Sequence, residues 1–385
     1  MNHSSARPVY ITDLGVFFPN APVENDVIEA VLGMVGGKPS RARRIVLARN
    51  GIKQRHYAID IESKRPTHSN ADMTAAAILA ALTRARLVLD RVDCMACGTS
   101  SPDQFKPGHA HMVQGVLGAP PMEVSSIAGV CTAGMTAMKY AWMSVASGGA
   151  QIAISAGSEL ASSFMRAEQF GPEPAVDALE QQAVLAFEQD FLRWMLSDGA
   201  GAAVLRPTPS PDGRSLRIDW IDCVSYAGEL PTCMYSGAHK EADGRLRGWR
   251  DVTLPVAVRD GYFSVKQDTR LLDAHIIETC ATRALSAITK RRGLDARDVD
   301  WFLPHYSSDY FRPRLFRALA DMGQGIPYER WFTNLATRGN VGSAMIYAIL
   351  EELFYSERLK PGDRILCVVP ESARFSVCYA HLTVV

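Results

Sequence analysis

The strongest constraint on the fold of this chain is an internal repeat. Val92-Asp93-Cys94-Met95-Ala96-Cys97-Gly98-Thr99-Ser100-Ser101-Pro102-Asp103 has a later echo in Val299-Asp300-Trp301-Phe302-Leu303-Pro304-His305-Tyr306-Ser307-Ser308-Asp309, an offset of 207 residues from Asp93 to Asp300. A second block follows at nearly the same spacing. Gly134-Met135-Thr136-Ala137 opens a small-residue helix, then a Gly turn, a strand over 151–156 and Gly157-Ser158-Glu159. Gly342-Ser343-Ala344-Met345, 208 residues after Gly134, opens a helix to about 358, then Pro361-Gly362, a strand over 364–369 and Pro370-Glu371-Ser372. Two blocks sharing one offset indicate a duplicated unit. Each half also opens on a strand-like run, 9–18 and 216–224. Helical spacing follows over 73–88 and 272–292. Strand–helix alternation predicts α/β layers around buried sheets. The reading is an α/β fold of two pseudo-twofold halves, 1–210 and 211–385, meeting at the turn-rich Pro207-Thr208-Pro209-Ser210-Pro211-Asp212-Gly213.

Composition narrows the function classes. Lys plus Arg and Asp plus Glu both number 41 in 385 residues, so bulk attraction to nucleic acid or an anionic membrane is not expected. No apolar run reaches the roughly 18 residues of a membrane span, and residues 1–8 lack the apolar core of a signal peptide. A soluble, cytoplasmic protein is expected. Its eight cysteines are scattered through strand-like and helical text, unlike a disulfide framework. Cys94 and Cys97 form a CxxC; without a second pair at zinc spacing it reads as strand rather than metal site.

Cys131 differs from the other thiols. It lies between the strand-like Ser125-Ser126-Ile127-Ala128 and a helix beginning Thr132-Ala133-Gly134. A helix start favours an anion, so a thiol there is expected to ionise below the ordinary value of about 8.5. The small neighbours Gly129, Ala133 and Gly134 leave room for a substrate. In a twofold-duplicated α/β fold, equivalent sheet ends face one site. The repeat carries Cys131 and Thr132 onto Gly339 and Asn340, and sets His305 at the end of the strand paired with Gly98. Cys131, His305 and Asn340 form the candidate constellation. Singly, each also has a bland reading, as a core thiol, a structural histidine and a turn residue. Residues 160–196 have no counterpart in the second half and read as an amphipathic surface helix or as the wall of an apolar pocket.

With these motifs in order, the chain resembles the condensing enzymes of the thiolase superfamily, most closely the β-ketoacyl-[acyl carrier protein] synthase III family. The resemblance rests on Arg49-Asn50-Gly51-Ile52, Gly129-Val130-Cys131-Thr132-Ala133-Gly134, Asp198-Gly199-Ala200-Gly201-Ala202-Ala203-Val204-Leu205, Pro304-His305 and Gly339-Asn340, and it spans nearly the whole chain. It implies a thiolase-like fold in α-β-α-β-α layers and a Cys-His-Asn triad at Cys131, His305 and Asn340. It further implies acyl transfer to Cys131, then decarboxylative condensation with a malonyl-type or β-ketoacyl thioester. Oxyanion donors are expected from the Cys131 amide and the loop of Ser372, Ala373 and Arg374. Arg49, Phe105 and Tyr306 take substrate-binding positions, with Phe105 closing the acyl pocket of a partner subunit in a homodimer. The substrates would be coenzyme A or acyl carrier protein thioesters, with no cofactor and no metal.

The departures point to a specialised member. Ser372-Ala373-Arg374 replaces a glycine triplet, Tyr306 follows the histidine where an amide is usual, and Ile45 stands where an aromatic covers adenine. Arg193-Trp194-Met195-Leu196-Ser197-Asp198-Gly199 and Gly36-Gly37-Lys38-Pro39-Ser40 are similar to the ketosynthases of dialkylresorcinol biosynthesis. The basic cluster Lys38, Arg41, Arg43, Arg44, Arg49, Lys53 and Arg55 faces either phosphates and an acidic carrier protein or plain solvent. Two other functions use the same residues: transfer or hydrolysis of the acyl group without condensation, or a non-catalytic partner subunit.

Overall fold

The structure is a computed structural model that describes residues 7–170, 191–241 and 243–385. Nine strands build the main sheet: β1 (Tyr10–Phe17), β2 (Cys94–Thr99), β3 (Glu123–Ala128), β4 (Ala153–Glu159), β5 (Gly199–Arg206), β6 (Leu216–Ser225), β7 (Trp301–Pro304), β8 (Arg364–Pro370) and β9 (Ser376–Val384). Their order across the sheet is β7-β8-β9-β6-β1-β5-β4-β2-β3.

This order is two copies of one pattern. Counting strands within each half, the first half runs 3-2-4-5-1 and the second runs 2-4-5-1, with the third strand missing. Pair directions agree: β2 is parallel to β4 as β7 is to β8, and the strands shared by both copies are otherwise antiparallel, while the extra strand β3 is parallel to β2. Where the second copy would have its third strand, a single parallel bridge joins Phe302 and Trp331. The repeated aspartates perform the same task. Asp93 and Asp300 each accept a hydrogen bond through a carboxylate oxygen from the backbone that enters β4 or β8, from Ile152 N at 3.0 Å and from Arg364 N at 2.8 Å.

The half-sheets join between β1 and β6, where Tyr10 pairs with Arg217, Ile11 with Leu216, and Ile218 N donates to Val9 O. Two helices fill the space between them: α4 (Thr132–Ala146) and α8 (Met345–Phe354). α4 packs on strands of both half-sheets. Their sequences explain the location. Residues 345–350, Met-Ile-Tyr-Ala-Ile-Leu, are all buried, and a helix apolar on every side belongs inside a core. The backbones cross closely because two residues lack side chains. A Cβ on Gly134 or Gly157 would lie 2.0 or 2.2 Å from the Ser343 carbonyl oxygen.

The outer layers hold α1 (Arg43–Asn50), α2 (Asn70–Arg84), α3 (His109–Leu117), α5 (Thr269–Ile277), α6 (Ala284–Arg292) and α7 (Arg312–Asp321). α2 starts three residues before the expected position because Ser69 and Asp72 form a reciprocal cap at 3.0 and 2.9 Å. The single helix expected over 272–292 is interrupted by a π turn, Glu278–Arg283, between α5 and α6. Cys94 and Cys97 lie three apart on β2 and therefore on opposite faces, each in a different apolar core, so they share no ligand. No helix is long and apolar enough to cross a membrane among the described residues.

Candidate active site

Cys131 is the residue from which α4 starts, just beyond β3. His305 follows β7 directly, held by its amide donating to Val368 O of β8 at 2.8 Å. Asn340 sits between two backbone bonds to a neighbouring segment, its amide donating to Met195 O and its carbonyl accepting from Ser197 N. Its side-chain Oδ1 accepts from Gly342 N at 3.0 Å, which fixes the carboxamide and leaves Nδ2 as its donor end. All three residues line one cavity of about 820 Å³. One half of the duplicated fold supplies the thiol, and the other supplies the imidazole and the amide.

The electrostatics of the thiol differ from the sequence expectation. Burial pushes the Cys131 thiol up, and the carboxylates of Glu159 and Glu371 push it further the same way. A helix end carries only roughly half a positive charge, too little to offset desolvation beside two acidic groups. Burial also lowers His305 to about 4, so its ring is neutral at neutral pH. Its Nδ1 has no hydrogen-bond partner among the described residues. A neutral thiol therefore shares the cavity with a neutral imidazole that can take or donate a proton.

Glu159 and Glu371 are buried acidic neighbours of Cys131 that sequence reasoning did not single out, although the repeat aligned their segments. Glu159 ends β4, Glu371 directly follows β8, and they are 4 % and 5 % exposed. Glu159 lines the cavity and is held across the twofold: Ser343 donates to it through its amide and its hydroxyl, and Ser100 and Ser101 add their own hydroxyls. Ser343 carries its hydroxyl within 2.8 Å of both Glu159 Oε1 and the Val130 carbonyl, the residue before the thiol. Glu371 instead collects amides of its own loop, from Ala373, Arg374 and Ser376.

That last set bears on the expected oxyanion loop. Ser372 lines the cavity, whereas Ala373 does not, and its amide is committed to Glu371 at 2.8 Å. Without glycines, the loop turns at Phe375, a buried residue with φ of 57°. Tyr306 lines the cavity and is buried. Phe105 lines it from the rim, 83 % exposed and stacked on Trp249. Arg49 lies outside the lining, exposed one turn from Ile45 on α1. Of the basic cluster, Arg55 is internal, bonded to Asn25 and the Trp194 carbonyl, and Arg43 pairs with Glu29. Lys38, Arg41, Arg44 and Lys53 are exposed.

Two walls make the chamber apolar. Part of the 160–196 stretch lies outside the described residues, but its ends bring Phe164, Leu192, Met195 and Leu196 to the cavity. The opposite wall was not foreseen: α5 and the π turn contribute Leu272, Ile276, Ile277 and Cys280, and residues 234–265 add Trp249 and Phe263. The Asp198-Gly199 motif is structural, its carboxylate accepting from Ala58 N at 2.7 Å and Ser162 N at 2.8 Å.

Residues 289–369 match the family model described as 3-Oxoacyl-[acyl-carrier-protein (ACP)] synthase III C terminal, and residues 59–189 match that of the Thiolase, N-terminal domain. The chain is a β-ketoacyl synthase III-like member of the thiolase superfamily. The beta-ketoacyl-[acyl-carrier-protein] synthase III of Dinoroseobacter shibae is 28% identical over 356 residues, 92% of this chain and 93% of the relative. That of Clostridium perfringens is 26% identical over 358 residues, again 92% and 93%. Among solved structures, AbyA1, a tetronic acid condensing enzyme, superposes with a TM-score of 0.75 at 21% identity, covering 97% of this chain and 99% of its own. Xanthomonas campestris OleA with bound lauric acid and lauroyl-CoA gives 0.72 at 21% identity, covering 98% and 99%. These likenesses make this condensing-enzyme family member a thiolase fold over nearly its full length.

Proposed function

We propose that this synthase III-like protein joins two thioester-bound acyl units by decarboxylative Claisen condensation. The observation that carries the reading is the meeting of Cys131, His305 and Asn340, drawn from both halves, in one apolar chamber. Cys131 attacks the carbonyl of an acyl thioester; its proton passes to the neutral His305 ring and on to the departing thiol. The acyl chain then lies against the α5 wall. A malonyl-type thioester enters next and loses carbon dioxide, while His305 and Asn340 Nδ2 donate to its carbonyl as enolate charge develops. The carbanion attacks the acyl carbon and expels the Cys131 sulfur, with the Cys131 and Ser372 amides serving the tetrahedral oxyanion.

A chamber of about 820 Å³ is large for an acetyl primer and suits a longer or bulkier acyl group. This supports a place near the dialkylresorcinol-type ketosynthases. Arg193, which opens one of the two segments that carry that likeness, donates through its guanidinium to the Gly33 carbonyl at 2.5 Å, three residues before the other segment begins. Donors arrive on coenzyme A or an acyl carrier protein, past Arg49 and its exposed basic neighbours. The working unit is a homodimer: β3 ends the sheet with its outer edge unpaired by any described strand, and Phe105 is exposed at the rim of the chamber.

The test is intact mass spectrometry after incubation with acyl-CoA and acyl-carrier thioesters of graded length. Acylation mapped to Cys131, followed by a β-ketoacyl product when a malonyl thioester is added, is the expected result. An unmodified Cys131 with every donor overturns the reading. Acylation followed only by free acid would show a hydrolase instead.

A further inference from the structure

Outside the chamber's lining, two cysteines face each other across the sheet. In the register of β6 against β9, Cys223 stands directly opposite Cys378, and their sulfurs are 2.7 Å apart. That separation is inside van der Waals contact. Directly opposed antiparallel residues already bring their Cβ atoms to about 4.5–5.5 Å, close to the 3.5–4.5 Å of a disulfide. Cys223 is exposed, whereas Cys378 is 1 % exposed. Above the pair lies α4, the helix that starts at Cys131, with Thr136 and Lys139 beside the two sulfurs.

We infer that Cys223 and Cys378 form an oxidant-responsive dithiol, closing to a cross-strand disulfide between β6 and β9 on exposure to a peroxide. The two thiols have different tasks. The hydrogen bond from the Cys378 thiol, aided by Lys139, lowers Cys223, while the same contact and burial hold Cys378 up. Cys223 is thus the exposed, thiolate-prone member, and Cys378 keeps its proton. The Cys223 thiolate attacks one peroxide oxygen, breaking the O–O bond; with a proton taken up, water leaves and Cys223 becomes a sulfenic acid. The Cys378 thiol then attacks the sulfenic sulfur, forming S–S and releasing a second water. In sum, two thiols are oxidised by two electrons and one hydrogen peroxide is reduced to two waters. The other cysteines lack this arrangement: Cys131, Cys280 and Cys367 are buried and raised by burial, and none has a sulfur partner among the described residues.

The experiment treats the whole native protein with substoichiometric hydrogen peroxide, blocks free thiols and maps peptides without reduction. The expected result is an intact mass lower by two hydrogens and a crosslinked peptide joining Cys223 to Cys378, reversed by dithiothreitol. C378S should leave Cys223 as a trapped sulfenic acid, and C223S should leave Cys378 unoxidised. Because Cys223 is exposed, its serine variant tests the chemistry without touching the core. Two outcomes would overturn the inference: both thiols still alkylatable after Cys131 has oxidised, or Cys223 oxidised with no link to Cys378.

Discussion

The two halves of this molecule follow one topology and have diverged in what they carry. The first keeps all five strands and ends its third, β3, against the helix that starts at Cys131. The second has only the Phe302–Trp331 bridge at that position, and it contributes His305, Asn340 and most of the apolar wall. Their terminal glutamates show the same split. Glu159 is held by serines from both halves, Glu371 by amides of its own loop. Duplication thus supplied two equivalent sheet ends, of which one now carries a thiol and the other an imidazole and a carboxamide.

This division can be broken or sharpened, starting with the reaction itself. C131A should abolish acylation and reduce condensation by about 10⁵-fold or more. H305A should leave acylation measurable but slow decarboxylation of the malonyl thioester about 10²–10³-fold. The reverse pattern, with acylation lost and decarboxylation intact, would break the assignment of roles to halves. The pH dependence is a related test. His305 is lowered to about 4 by burial, so its neutral form persists well below the ordinary histidine range. Decarboxylation should show no inflection near 6.5 and should fall only as the pH approaches 4. Burial and the two glutamates raise the Cys131 thiol. Its alkylation by iodoacetamide should therefore keep accelerating above about pH 8.5.

Smaller effects test how the halves lock together. G134A puts a methyl 2.0 Å from the Ser343 oxygen and should destabilise by about 3 kcal/mol in urea unfolding. G129A, in the same motif, meets only Ala133 Cβ at 3.4 Å and should cost less than about 1 kcal/mol. D300A removes one backbone contact and should cost about 1 kcal/mol, and D93A, which loses contacts from both Gln151 N and Ile152 N, should cost somewhat more in the same unfolding assay. The smallest stability effect is expected for F105A, under about 0.5 kcal/mol for so exposed a side chain. Its readout is acyl-chain selectivity in the condensation assay.

Much of this was legible before any coordinates. The 207-residue offset carried the shared topology because each copy repeats its own strand alternation and helix spacing, which are written in near neighbours. Cys131, His305 and Asn340 were legible for a related reason: each stands at a strand end or helix start that local turn chemistry marks. What local text could not carry was the environment of those groups. The upward shift of the Cys131 thiol comes first from burial and then from Glu159 and Glu371, which lie in other segments of the chain. The α5 wall, the contact between Cys223 and Cys378 and the capture of the Ala373 amide by Glu371 arise likewise from packing between distant segments. Periodicity and turns reach a few residues, whereas burial and Coulomb interaction act through space, so the architecture and the positions of Cys131, His305 and Asn340 were set by sequence and their electrostatic environment by the tertiary fold.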